Sequence, residues 1–201
     1  MSFKEYFKGI WKSMKDPSYM AKIIIETFFI ILAVFLGLIA KEQSEIANNR
    51  SKSKAAVQRI ETEIQQNLKY LQKKQDYYFR IMNSIDSVIA INGNQVFNKK
   101  SIPNWSGINP PLLSSSSFKT AASIGIFSYI KFQIADEISK VYLIQEEIQK
   151  VGSLSINIIL SGELPDYQSI KLVLMVFTEL INGWFSAANN VLPKIRNGRS
   201  E

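Results

Sequence analysis

Residues 23–40, IIIETFFIILAVFLGLIA, form an apolar run that contains one charged side chain, that of Glu26. A helix rises about 1.5 Å per residue, so this run covers roughly 27 Å, close to the hydrocarbon thickness of a bilayer. A buried helix of a soluble protein is rarely apolar on every face for so long. A cleaved signal peptide would have a shorter apolar region and a small residue in place of Leu38. We therefore predict a transmembrane helix over residues 23–40.

The single acid of this run has two interpretations. Glu26 lies near Lys22 in the first turns, where a carboxylate can snorkel towards the headgroups and avoid the cost of about 3 kcal/mol at the bilayer centre. It also shares one helical stripe with four other residues, and the stripe consists of Glu26, Ile30, Ala33, Gly37 and Ala40. Small residues four apart, such as Ala33 and Gly37, let a second helix approach closely. We predict a helix–helix interface in the membrane that is formed by Glu26, Ala33, Gly37 and Ala40, with a second copy of the chain or another membrane protein as the partner.

Composition limits the remaining chemistry. The chain has 201 residues, no cysteine and no histidine, which leaves room for one modest domain beyond the anchor and excludes disulfides, thiolate metal sites and His-dependent triads. Its net charge of +7 is spread along the sequence. A nucleic-acid reader would show a dense basic face with interleaved aromatics, so we expect the lipid bilayer, and not nucleic acid, as the anionic partner. Richness in Lys, Ile, Asn and Ser indicates a bacterial source.

Residues 1–22 form a basic lead with apolar side chains at spacings of three and four, including Phe3, Phe7 and Trp11. The pattern predicts an amphipathic helix in the headgroup layer, and the alternative is a disordered basic tail. Pro17 is expected to end this helix. The cations that flank the span are balanced, but a lysine-rich lead is a poor segment to translocate. We expect a single-pass protein of the bacterial inner membrane with a cytoplasmic N-terminus.

Residues 41–201 are predicted to form one all-α domain, so that a transmembrane helix is followed by a long helix and an antiparallel helical bundle. The expected elements are a long helix over about 55–91, a loop over 92–114, and helices over about 117–124, 130–151 and 166–192. Gly152 and Ser153 weaken the continuation of the helix over 130–151, and residues 154–160 are expected to be helical as well. Residues 41–54 either extend the spanning helix or link it flexibly. The long helix carries a continuous apolar stripe: Val57, Ile60, Ile64, Leu68, Leu71, Tyr78, Met82, Ile85 and Ile89. This stripe packs within its own domain or forms a coiled coil with a second copy.

The last predicted helix is the most apolar of the domain, and its stripe runs from Tyr167 to Val191. Lys171 and Glu179 interrupt it, and several asparagines follow, so we expect a core helix and not a second span. Trp105 in the preceding loop is expected to cover the core.

No motif for catalysis, nucleotide binding or metal binding is present, so we expect neither an enzyme nor a cofactor. Glu61 and Glu63 are two apart and point in different directions on a helix. A solvated helix face explains these acids better than a catalytic pair.

The sequence resembles a group of uncharacterised single-pass bacterial membrane proteins that is common in Bacteroidetes. Their span begins with a Glu and ends with a Leu-Gly-x-x-Ile-Ala-like motif, and a helix of the type Glu-x-x-x-Asn-x-x-x-Leu follows. The residues that match these motifs are Glu26, Leu36, Gly37, Ile39, Ala40, Glu63, Asn67 and Leu71. Residues 118–142, with Phe118, Ser123, Gly125 and Tyr142, are similar to a later helix–turn–helix stretch of the group. The resemblance implies the single-pass helical architecture and no particular activity.

Two functions are consistent with these features. The first is a non-enzymatic, membrane-anchored helical scaffold or accessory subunit of a membrane complex. The second is a subunit of an ion-driven membrane assembly in which Glu26 takes part in proton passage; single-span stator proteins provide the architectural analogy. A scaffold tolerates glutamine at position 26, whereas a proton-handling subunit does not.

Overall fold

The structure, a computed structural model, describes residues 17–160 and 165–197, without the side chains of residues 19 and 157–160. Its helices are α1 (Pro17–Asn92), α2 (Ser116–Ser123), α3 (Phe132–Leu160) and α4 (Tyr167–Asn197), with 3-10 turns at Lys99–Ser101 and Ile126–Tyr129. Within these residues the only β pairing is one antiparallel bridge between Val96 and Asp166. The predicted all-α class is confirmed.

Helix α1 is longer than predicted, because residues 17–92 form one continuous helix. The predicted boundaries at 22 and 55 therefore do not separate elements, and the stretch 41–54 is helical and not a flexible linker. No glycine or proline occurs between residues 38 and 92 to interrupt the helix. Pro17 begins the helix, at the position where its missing N–H costs nothing. The predicted lead helix before Pro17 lies outside the described residues.

The chain divides into two compact units, Met1–Arg50 and Ser51–Glu201. In the first unit all side chains over residues 23–40 are exposed. The most apolar window of this part of α1 has a mean hydropathy of 2.8 and is 0% buried. The helix thus has the length and composition that a membrane span requires.

In the second unit, α4 runs antiparallel to α1 and α3 runs parallel to it. Gln75 Nε2 donates to Asn182 Oδ1 at 2.6 Å, and Arg196 Nε donates to Glu61 Oε1 at 2.8 Å, so α1 and α4 are paired in opposite directions. Tyr142 OH on α3 donates to Glu63 on α1, and Gln145 Oε1, further along α3, accepts from Asn67 Nδ2, further along α1, so these two helices run in the same direction. Residues 93–131 return the chain to the start of the domain, so α3 runs parallel to α1. The domain is therefore not the simple antiparallel bundle that the sequence predicted.

The apolar stripe of α1 is buried by its own domain. Ile60, Ile64, Leu71, Tyr78 and Ile85 are all fully buried in one core. The intramolecular alternative for the stripe is therefore the one observed, and the buried stripe is not available for a coiled coil.

Helix α4 is a second helix apolar enough to cross a membrane, but 33% of its most apolar window is buried within the domain. Its buried face includes the stripe that the sequence predicted, with Phe177 and Trp184 fully enclosed. The helix continues past the predicted end at 192 to Asn197, with Pro193 inside it. Lys194 pairs with Glu137 of α3, which helps to hold this last turn in place.

Helix α3 runs without a break through Gly152 and Ser153 to Leu160, so the prediction that residues 154–160 are helical is confirmed. Gly152 does not end the helix but makes room for the loop. A Cβ atom at this position would lie 2.8 Å from Cβ of Pro110, which is closer than carbon atoms can approach. Lys150 pairs with Glu147 at 2.9 Å.

The loop after α1 packs along the core. Gly93, with a φ of 74°, ends α1, and its N–H donates to the carbonyl of Ile89 at 2.9 Å. Trp105 is half-buried, with its ring 4.7 Å from that of Phe97, as expected of a residue that covers the core. Tyr77 OH fixes the loop by donating to the Gly107 carbonyl at 2.7 Å.

Candidate functional site

A buried carboxylate is the centre of the polar contacts between α1, α2 and α3. Glu63 is 4% exposed and Asn67, one helical turn later, is 5% exposed. Their spacing of four places both on the same face of α1. The prediction that Glu63 and its neighbour Glu61 belong to a solvated face is wrong, because Glu61 is also buried, at 8% exposure.

Four donors converge on Glu63. Its Oε2 accepts from Ser114 Oγ at 2.8 Å, from Ser116 Oγ at 3.0 Å and from the N–H of Ser117 at 2.9 Å. Its Oε1 accepts from Tyr142 OH at 2.6 Å. Burial raises the pKa of this carboxyl, but the bonds from Ser117, Tyr142, Ser114 and Ser116 together hold the pKa below its usual value. Glu63 is therefore a fixed anion.

The carboxylate also takes the place of an N-cap residue. Ser115, which precedes α2, makes no side-chain capping bond. The N–H of Ser117, in the first turn of α2, lies where a helix offers no acceptor of its own. It donates instead to Glu63, 54 residues earlier in the chain. A negative charge at this end of a helix is favourable.

An amide pair extends the contact towards Ser114. Asn67 Nδ2 donates to the Ser114 carbonyl at 2.8 Å, and its Oδ1 accepts from the Ser114 N–H at 3.1 Å. Gln145 of α3 donates to the same carbonyl at 2.9 Å. Glu63, Asn67, Ser114, Tyr142 and Gln145, which we call the Glu63 cluster, thus bind the backbone of the loop to two helices.

Glu63, Asn67, Phe118 and Tyr142, which carry part of the resemblance, lie in this cluster or contact it. Phe118 stacks on Tyr142 with ring centroids 4.2 Å apart and planes 12° apart. Gly125 adopts a φ of 70° and precedes the 3-10 turn after α2, and Leu71 is in the core. The matching positions Glu63 and Asn67 bond the loop. The bonds of Glu63 and the stack of Phe118 on Tyr142 hold α2 against α1 and α3.

The second acid of the pair, Glu61, faces α4. It accepts from Arg196 at 2.8 Å and from Gln65 at 3.1 Å. Further along the α3–α4 contact Glu137 pairs with Lys194, and its second oxygen is buried with no hydrogen-bond partner among the described residues. In the described part of the chain no three acidic or other ligating side chains are grouped as a metal ion would require.

A groove lies beside the Glu63 cluster, between α1 and α2. It consists of two adjoining hollows of about 430 Å³ and about 390 Å³ that share Ala55, Arg59, Ser116 and Ser117. Gln58, Thr62, Glu63, Gln66 and Ser114 line the first hollow, and Lys52, Ala56, Thr120, Ala121 and Ile124 line the second. We call it the α1–α2 groove. No periodic pattern in the sequence indicates the α1–α2 groove. One wall is α2, and the position of α2 depends on how the preceding loop contacts α1.

The predicted membrane interface is fully exposed on α1. Glu26, Ala33, Gly37 and Ala40 are all solvent-accessible, and a Cβ atom at Gly37 would meet nothing within 4 Å. Lys22 Nζ lies 3.9 Å from Glu26 Oε1, one helical turn away. This stripe remains a prediction.

Comparison with protein-family models finds no match, and comparisons with curated proteins and with solved structures find no similar protein either. The resemblance to the Bacteroidetes group therefore stays a prediction from the motifs.

Proposed function

We propose that this protein is a non-enzymatic scaffold or accessory subunit that anchors in the bacterial inner membrane through residues 23–40 and presents its helical domain to a partner protein. The observation that supports the anchor is the complete exposure of an apolar helical run with a mean hydropathy of 2.8. A surface of this kind needs lipid or another helix to cover it.

The contacts of Glu63 favour a scaffold over an enzyme. A general acid or base needs a pKa near the working pH and access to a substrate proton. Glu63 is instead held as an anion by four donors, and those donors belong to the elements it joins. Its role in this proposal is to fix α2 against α1 and α3.

The proposed orientation has the N-terminus in the cytoplasm and residues 41–201 outside. The lysine-rich lead is the reason. A single cysteine at the exposed loop position Ser106 should react with a membrane-impermeant maleimide in intact spheroplasts. The same substitution at the buried core residue Ile85 is the control for burial. Labelling of the Ser106→Cys variant that requires lysis would reverse the orientation.

If the span forms the proposed helix–helix interface, a bulky side chain at position 37 should weaken helix association in the membrane. Gly37→Leu adds bulk where helix backbones should approach, while the span stays apolar enough to insert. We expect this variant to lose most in-membrane cross-linking to its partner or second copy. Ile31→Leu, on another face, should retain it. Equal cross-linking by wild type and Gly37→Leu at matched expression would reduce the span to a plain anchor.

Glu26 separates the scaffold from an ion-driven subunit. The proximity of Lys22 to Glu26 supports a carboxylate that snorkels to the interface. The scaffold proposal therefore expects Glu26→Gln to keep both cross-linking and cellular function. Loss of function with cross-linking intact would instead favour proton passage through Glu26.

A further inference from the structure

We propose that the α1–α2 groove is the site at which the domain binds its partner, and that it takes an extended acidic peptide segment. This inference rests on the proposed scaffold function and adds to it the place and chemistry of the contact. Shape, charge and the supply of hydrogen-bonding groups each support it.

The groove has the dimensions of a short peptide. Its lining residues on α1 extend from Lys52 to Gln66, which at about 1.5 Å per residue is roughly 21 Å. An extended chain rises about 3.3 Å per residue, so roughly six residues fit along it. Pockets for small molecules are enclosed and mainly apolar, whereas most of the α1 side chains here are solvent-exposed.

Cations determine the charge of the site. Lys52 and Arg59 are seven residues apart and line the same side of α1. In the described part of the chain no carboxylate lies within ion-pair distance of either side chain. The one acid of the lining, Glu63, is 4% exposed and is already bonded by four donors. An acidic ligand therefore meets unpaired positive charge.

Neutral side chains offer bonds to a peptide backbone. Gln58, Thr62 and Gln66 follow one another at spacings of four and form a row along the groove. A glutamine amide both donates and accepts, so it can pair with a peptide group as another backbone would. The hydroxyl of Thr62 donates to the Gln58 carbonyl at 3.0 Å, which leaves its oxygen free to accept.

Small side chains leave room for this contact. Ala55 lines both hollows, and Ala56 and Ala121 line the second. Longer side chains here would fill the space that the peptide main chain needs. Ala55→Trp should therefore block the groove without any change in charge.

The test uses the full chain in nanodiscs of zwitterionic lipid and measures the fluorescence anisotropy of a labelled, capped octapeptide of alternating glutamate and serine. We expect salt-dependent binding, and at least tenfold weaker binding of the twin peptide with glutamine in place of glutamate. The double variant Lys52→Gln/Arg59→Gln should lower the affinity at least tenfold. Lys69→Gln/Lys73→Gln removes the same charge from exposed positions of α1 outside the groove and should change the affinity less than twofold.

If both double variants lost the same affinity for the peptide, net charge alone would explain the loss, and the proposal would be overturned. Full binding by Ala55→Trp, in a variant with unchanged circular dichroism, would overturn it too. Displacement by inorganic phosphate at equal ionic strength, or a preference for vesicles that contain anionic lipid, would identify a different ligand and likewise overturn it. If the chain stays in the membrane but does not bind the peptide, only the groove inference is contradicted. If the chain binds the peptide but leaves the membrane, the proposed anchor is contradicted.

Discussion

Replacement of Glu63 with leucine is expected to lower the free energy of unfolding by about 3–5 kcal/mol, because hydrogen bonds to a charged group contribute roughly 1.5–3 kcal/mol each, and less where solvent can replace them. The affected donors are the hydroxyls of Ser114, Ser116 and Tyr142 and the N–H of Ser117. Urea unfolding of the full chain in mild detergent, followed by circular dichroism, measures the change.

The matched control is Glu179→Leu, at an exposed position of α4, which should change the free energy of unfolding by less than about 0.5 kcal/mol. Equal effects of the two leucine variants would show that the carboxylate of Glu63 does not hold α2. A double-mutant cycle with Tyr142→Phe isolates the bond between Glu63 and Tyr142, for which we expect a coupling energy of about 1–2 kcal/mol.

The Glu63 carboxylate also makes the free energy of unfolding depend on pH. Since hydrogen bonds hold the pKa of folded Glu63 below its usual value, the group stabilises the fold above its unfolded pKa of about 4.3. That contribution is lost as the pH falls through the folded pKa. The advantage of wild type over Glu63→Gln should accordingly shrink under acid conditions.

Trp184→Ala is expected to lower the free energy of unfolding by about 3–5 kcal/mol, because it removes the largest fully buried side chain of the core and leaves a cavity. Among the described residues the indole Nε1 has no hydrogen-bond partner, so the loss is expected to come from apolar contact and not from a broken hydrogen bond. Urea unfolding of the full chain measures it as before.

Met175 lies on the same helix but is 48% exposed, and Met175→Ala serves as the comparison, with an expected change below about 1 kcal/mol. If both alanine variants had the same small effect, α4 would not be the core helix of the domain, and its role as a second span would have to be reconsidered.

Hydrophobic periodicity predicted the helices well where one face is buried. Ile60, Ile64 and Leu71 on α1 and Phe177 and Trp184 on α4 all lie in the core, because steps of three and four place these side chains on one face of each helix. The helix ends were predicted less well. Pro193 and Gly152 ordinarily end helices, but α4 continues through Pro193 to Asn197, and α3 continues through Gly152, where Pro110 leaves no space for a Cβ atom.

The Glu63 cluster could not be found from spacing alone. Its acid and amide look like surface residues in the sequence, since nothing local shows that the serines after residue 113 return to them. The contact from Asn67 to Ser114 spans 47 residues, so it depends on the path of the loop and not on any helical period. The family motif did mark Glu63 and Asn67, and it was the one sequence signal at this site.

The central claim is that residues 23–40 alone anchor a helical domain that is otherwise independent of lipid. The most direct measurement is alkaline carbonate extraction of bacterial membranes followed by sucrose flotation, for the full chain and for residues 51–201 expressed alone. We predict that the full chain floats with the membranes and that the shorter chain stays in the supernatant as a helical protein with a cooperative thermal melt. Extraction of the full chain by carbonate, or flotation of residues 51–201 through α4, would contradict the claim.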